Sequence, residues 1–180
     1  MTPEVDEPIE VVSFDPAWPR LFDEEAKRLR VGLTDQINCI EHFGSTSVVG
    51  MAGKPVVDLL FGVDDMAQAH RVAEKVAELG YENLGEVLFP GRVYLRRRGP
   101  PNFNVVVVVQ NGVLWNYFVL VRDYLRANPD EVEAYSKAKW ETVESGAAMF
   151  LSYSYKKAPF LKELAERAKH WKLAGMNKVR

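Results

Sequence analysis

Five valines in a row, Val105 to Val109, close the segment FNVVVVV at residues 103–109. Side chains alternate along a strand, so a run apolar at every position must be covered on both faces. That makes residues 103–109 a central strand with helices above and below. A second run, VVDLLFGV at residues 56–63, has the same character apart from one carboxylate, Asp58. Between the two lies a helix: Asp64 and Asp65 cap it, Ala69, Val72, Ala73, Val76 and Leu79 keep its period, and Gly80 stops it. Val93 and Leu95 alternate with Arg92, Tyr94 and Arg96, the signature of a half-buried strand.

The ends of the chain read as helices. Asp15 and Pro16 open one that carries Phe22, Ala26, Leu29 and Leu33, after a short strand at 9–14 and a frayed lead-in at 1–9. The last third predicts helices at 114–126, at 130–144 with Asp130 as cap, and from Ser154 or Lys156 to Leu173, with a loose polar tail. The fold class is α/β (α+β), a mixed sheet flanked by helices with a helical C-terminal third. One domain over 1–180, with a core about 9–172, is the expected organisation.

A formal charge of −2 and a pI near 6.0 argue against a general nucleic-acid binder. The basic triplet Arg96, Arg97 and Arg98 reads as a solvated hairpin end. The single cysteine, Cys39, reads as a small core residue. The acidic start MTPEVDEPIE has no apolar signal region, and no run approaches the roughly 18 apolar residues of a membrane span. The expectation is a cytoplasmic protein that uses neither membrane nor nucleic acid and acts on a small molecule. The oligomeric state is left open.

The chemistry concentrates in residues 40–63, IEHFGSTSVVGMAGKPVVDLLFGV. Gly44, Ser45, Thr46 and Ser47 form a small polar turn, where a helix starting at Ser45 or Thr46 would aim backbone N–H groups at an anion. Asp58 on the next strand could hold a cation against bound phosphates. Alternatively, Ser45 and Thr46 merely cap a helix and Asp58 satisfies loop amides.

Several segments carry a family resemblance: VVSFDPAW (11–18), IEHFGSTSVVGMAGKPVVDLL (40–60), LGY (79–81), RDYLRANP (122–129), AYSKAK (134–139) and YSYKKAPF (153–160). On these the chain is identified as a member of the GrpB family, within the nucleotidyltransferase-fold superfamily. The resemblance implies a nucleotidyltransferase-like sheet and a nucleotide cofactor, ATP or another nucleoside triphosphate, with Mg²⁺. In that superfamily a Gly-Ser turn is followed by two acids one residue apart and a third acid on a neighbouring strand. Here Gly44, Ser45 and Asp58 match, but the second position is Leu60. The third falls among Asn102 and Asn104, where the GrpB pattern is usually HLHV and this chain reads NFNV. Any metal therefore rests on Asp58 alone.

Other polar residues could converge on the same pocket. His42 is a candidate base or a satisfied core histidine. Lys54, Lys139 and Lys157 hold phosphates or belong to solvated surfaces. Arg92 and Arg96 could clamp an anionic substrate. Asn102 and Asn104 share one side of their strand and suit recognition of a polar group. Tyr135 and Tyr153 would line the far wall, and Arg122 with Asp123 reads as a structural pair. Two functions follow: a nucleotide-dependent transferase or ligase with Asp58 and His42 catalytic, or a non-catalytic nucleotide- or anion-binding module.

Overall fold

The computed structural model describes residues 5–33 and 36–177. Its element order is α1 (Trp18–Leu33), β1 (Cys39–Phe43), a 3₁₀ turn (Ser45–Ser47), β2 (Val56–Val63), α2 (Met66–Glu78), β3 (Glu82–Gly85), β4 (Arg92–Arg97), β5 (Asn102–Val109), α3 (Val113–Ala127), α4 (Pro129–Glu144) and α5 (Phe150–Asn177). The five strands form one mixed sheet in the order β1-β2-β5-β4-β3. Strands β2 and β5 run parallel at its centre, and the remaining pairs are antiparallel.

The valine run behaves as its composition demands. Val105 and Val107 pack with Leu59, Phe61, Leu95 and the apolar stripes of α1 and α2. Val106 and Val108 face the other way, against Leu60, Tyr94 and Trp115 of α3. Helices α1 and α2 therefore cover one face of the sheet, and α3 begins the cover of the other. A third cluster joins Tyr124 and Leu125 of α3, Val132 and Tyr135 of α4, and Leu164 and Ala168 of α5 to Val48 and Met51 of the loop after β1. The helical third is thus pinned to the segment between β1 and β2.

Local chemistry sets the element ends. Asp15 Oδ1 accepts from the Ala17 amide just before α1, and Asp65 Oδ1 accepts from Gln68 at the start of α2. In several places the structure departs from the sequence reading, and it adds an edge strand, β3, that the sequence reading does not contain. Residues 9–14 make only an isolated bridge, Val12 to Gly53, with no strand. The lead-in is tied down from residue 5 onward: Ile9 N donates to Ala148 O, and Glu7 pairs with Arg96 and Arg98; residues 1–4 lie outside the described chain. Helix α4 starts at Pro129, the N1 position that tolerates a missing N–H, so Asp130 is a first-turn acid rather than the cap. Helix α5 begins at Phe150 and runs through Pro159 to Asn177, covering much of the stretch expected to be a loose tail, whose last residues, 178–180, are not described. Pro159 has no N–H, so the Tyr155 carbonyl loses its intrahelical donor there.

The basic triplet is not a solvated hairpin end. Arg97 pairs with the buried Glu25, which also accepts from Tyr81 and Arg28, and Arg98 pairs with Glu7. Residues 91 positions apart in the chain meet in the Arg98–Glu7 contact.

Candidate functional site

On the face covered by the C-terminal helices, the sheet and helices leave a cavity of about 220 Å³ between β2 and the helices. Its floor is Phe43, Gly44, Ser45, Lys54, Val56 and Asp58. Tyr117, Phe118, Val121, Arg122 and Leu125 of α3 wall one side, and Tyr135, Tyr153, Lys157 and Leu161 wall the other. The alternation of β2 explains the floor: Val57, Leu59 and Phe61 go to the α1–α2 core, leaving Val56, Asp58 and Leu60 on this face.

Asp58 sits beside Asn104 in the parallel register of β2 and β5. Asn104 Nδ2 donates to Asp58 Oδ1 at 2.7 Å. The Asn104 carbonyl oxygen in turn accepts from Tyr94 Oη and from Arg98 Nη2. The chain Glu7–Arg98–Asn104–Asp58 thus fixes the carboxylate from behind. Burial pushes the Asp58 carboxyl up, against the Asn104 hydrogen bond and the charges of Lys54 and Lys157. Gly44 (φ 70°) packs directly on the carboxylate, and a β-carbon at 44 would overlap Asp58 Oδ2.

Three lysines surround this one acid. Lys139 is 1% exposed; its ammonium donates to Ser45 Oγ at 2.7 Å and to Ala52 O at 2.6 Å, over the Tyr135 ring. Lys54 lies over the Phe150 ring at 4.4 Å, and Lys157 over Tyr153 at 4.7 Å. Burial lowers all three lysines below the usual ammonium range. Lys157, pressed further by the Lys54 charge, falls to about 8. The cavity is lined by two amines and one acid between aromatic walls, with Lys139 behind its Ser45 floor, a chemistry that could receive an anion.

The expected site residues divide. Gly44, Ser45, Lys54, Asp58, Tyr135, Tyr153 and Lys157 line the cavity, and Lys139 supports Ser45 from behind. His42 does not join them. It lies on the opposite face of β1, stacked on Phe22 of α1 at 4.5 Å, with Nε2 3.0 Å from Thr46 Oγ1. Burial and the Arg126 and Arg122 charges pull it down to about 3, so it stays neutral as a core histidine.

Thr46 is engaged with His42, and Ser47 Oγ donates to Gly44 O, so neither hydroxyl turns to the cavity. The expected helix after Gly44 is a single 3₁₀ turn, Ser45–Ser47, too short to carry a macrodipole. Arg96 pairs with Glu82 and Glu7. Arg92 lies between the Phe89 and Tyr94 rings, outside the cavity lining. Asn102 Nδ2 donates to Pro55 O and its oxygen accepts from Gly99 N, so it secures loops.

Sequence reasoning missed the α3 wall and the Arg98–Asn104 support. Phe118, Val121 and Leu125 are an i, i+3, i+7 stripe in residues 114–126 and could have been assigned to the cavity. The Glu7–Arg98 contact has no local signature. Arg122 pairs with Asp123 as read, and also with Glu41 at 2.7 Å and His42 O, which locks α3 to β1.

The fold resemblance implies a divalent cation, and the residues present do not fit one. Asp58 is the single acid of the cavity, one of its oxygens accepts an amide hydrogen bond, and cationic lysines surround it. Among the described residues no group of three His, Cys, Asp or Glu side chains could hold a metal. Mg²⁺ needs oxygen ligands, which lysines and a donating amide do not supply.

The sequence profile described as GrpB protein matches residues 8–167. The UPF0157 protein YqkA of Bacillus subtilis is 31% identical over 165 residues, covering 91% of this chain, and the chain spans 48% of that relative. The Glutamate-rich protein GrpB of Alkalihalophilus pseudofirmus is 31% identical over 160 residues, covering 86% of this chain and 92% of that protein. The crystal structure of the conserved protein GrpB from Enterococcus faecalis aligns with a TM-score of 0.80 at 30% identity, over 90% of this chain and 99% of that one. Among the described residues no helix is long and apolar enough to cross a membrane. Fold and sequence agree that the chain belongs to the GrpB family.

Proposed function

We propose that the chain is a nucleotide-dependent transferase or ligase, with ATP the favoured nucleotide, acting on a small molecule. The nucleotide's phosphates rest against Gly44 and Ser45 and are neutralised by Lys54 and Lys157, with Lys139 holding the Ser45 hydroxyl. One observation carries this reading: two lysines and one carboxylate line a single aromatic-walled cavity, with a third lysine, Lys139, holding Ser45 from behind. Its volume of about 220 Å³ suits a phosphate tail, leaving nucleoside and acceptor at the mouth. The Asn104–Asp58 hydrogen bond favours a second reading, a nucleotide- or anion-binding module without turnover.

Calorimetry with ATP, GTP, CTP and pyrophosphate, with and without Mg²⁺, tests binding, and phosphate release in the presence of candidate acceptors separates the two readings. Ser45→Leu fills the cavity floor and should abolish binding while the fold persists. Undiminished binding by that variant would show that the turn is only structural.

A further inference from the structure

The arginines at one end of the β4–β5 hairpin have acids to meet. Arg96 meets Glu82 and Glu7, Arg97 meets Glu25, and Arg98 meets Glu7. Arg92, at the other end of β4, has none. Among the described residues no carboxylate pairs with it, and its Nε is shut away from solvent without a hydrogen-bond partner. Glu86, the one acid of the adjoining 86–91 loop, is engaged by Gly91 N and His70 Nε2. An unpaired charge in such a setting costs stability.

Strand alternation places this guanidinium. Arg92, Tyr94 and Arg96 share one side of β4, and Tyr94 packs with Leu60, Val106 and Val108 on the face that also carries Asp58. Tyr94 Oη donates to Asn104, whose amide holds Asp58, so a single ring separates Arg92 from that network. Burial pulls the guanidinium below the ordinary arginine range, and Tyr94 and Asp58 oppose the fall.

The loop before β4 shapes the other side. Leu88 takes a left-handed backbone, φ 68°, which leucine adopts at a cost in energy. The next residue, Phe89, is 58% exposed although its ring lies 4.9 Å from the Arg92 guanidinium. The guanidinium is thus held between two rings, and among the described residues no acceptor meets its terminal nitrogens. Its planarity makes those nitrogens a fork that matches the two oxygens of a carboxylate. One positive charge also balances one carboxylate, whereas a phosphate carries more charge and meets lysines in the cavity.

We infer that Arg92, Phe89 and Tyr94 form a binding site for a small monocarboxylate, its oxygens on the Arg92 fork and its apolar body on the exposed Phe89 ring. The strand order β1-β2-β5-β4 sets this fork and the Gly44–Ser45 turn on opposite sides of Asp58. The occupant is therefore the acceptor of the transfer, a role that rests on the nucleotide reading above; the carboxylate site stands without it.

The test follows para-fluorobenzoate by fluorine NMR on the full chain, with pyrophosphate binding measured in parallel by calorimetry. The parent should shift and broaden the fluorine signal saturably at millimolar ligand. Arg92→Lys keeps a charge between the rings but loses the fork, and should weaken binding at least tenfold at an unchanged thermal midpoint. Arg92→Met removes the unpaired charge, and should abolish binding while the thermal midpoint holds or rises. Pyrophosphate binding should survive in both variants. Undiminished para-fluorobenzoate binding by either variant overturns the site and leaves Arg92 a structural cation. So does a parent that fails to bind the probe, or a probe that pyrophosphate displaces, since it then sits among the lysines. Arg92-dependent binding of the probe by a chain that takes neither pyrophosphate nor ATP sustains the site and removes the acceptor role with the nucleotide reading.

Discussion

Asn104 occupies the strand position directly beside Asp58 and donates its side-chain amide to the Asp58 carboxylate at 2.7 Å. A metal-dependent site would need an acid at that position; here an amide spends one of the carboxylate's oxygens. Asn104→Asp should therefore create divalent-cation binding that the parent lacks, read as a thermal midpoint that rises with millimolar Mn²⁺ or Mg²⁺ only in the variant. An equal rise in the parent would show that Asp58 binds metal unaided.

Asn104→Ala removes more than one bond. Tyr94 and Arg98 lose their shared acceptor, and Asp58 loses its donor, all in a buried setting. Unpaired buried groups cost about 1–3 kcal/mol, so a loss of about that size is expected in urea unfolding. A change below a few tenths of a kcal/mol would mean that the network is slack.

Gly44→Ala tests the closeness of the 44–47 turn to Asp58. The backbone at φ 70° disfavours a side chain by roughly 1–2 kcal/mol, and the added methyl group meets the carboxylate as well. The expected result is a lower unfolding midpoint together with lost pyrophosphate binding. Binding and stability at parental levels would contradict the packing.

The lysines should separate by role. Lys54→Met should weaken pyrophosphate binding at least tenfold with little change in thermal midpoint, because among the described residues the Lys54 ammonium makes no hydrogen bond and rests over the Phe150 ring. Lys139→Met should lower the midpoint, since Ser45 Oγ and Ala52 O both lose a buried donor. A reversed pattern, stability lost at Lys54 and binding alone at Lys139, would exchange their roles.

Acid sensitivity follows from His42. Its folded pKa, about 3, lies below the ordinary 6.5 because burial disfavours the imidazolium. The unfolded chain therefore binds a proton that the folded chain refuses. The stabilisation is complete above pH 6.5 and is lost as pH falls toward 3. The limiting slope is about 1.4 kcal/mol per pH unit for one proton. His42→Gln should flatten that part of the curve in urea titrations, and an unchanged slope would assign it to other groups.

The centre of the sheet was legible because Val105 to Val109 and residues 56–63 read as buried strands, and the periodic residues of α1 and α2 fix their helices; the short edge strand β3 has no such run. The cavity was legible in part. The floor residues Gly44, Ser45 and Asp58 are near in sequence, and their strand alternation is forced. The side of β1 that His42 takes was not, because alternation says only that Glu41 and His42 oppose each other. The contact with Phe22 that decides the choice lies on another element. Arg96 and Arg98 were misread for the same reason: their partner Glu7 stands in a segment without periodicity.

Lys139 reaches Ser45 across 94 positions of the chain. That contact closes a long loop, and helices α4 and α5 must dock before the cavity has a second wall. The pocket therefore exists only where α4 and α5 are packed against the sheet. An anion bound there would tie the two ends of this loop together and raise the cost of detaching the C-terminal helices by mass action. Occupancy of the cavity would thereby lower how often α5 opens to a protease, coupling the chain's resistance to cleavage to its ligand.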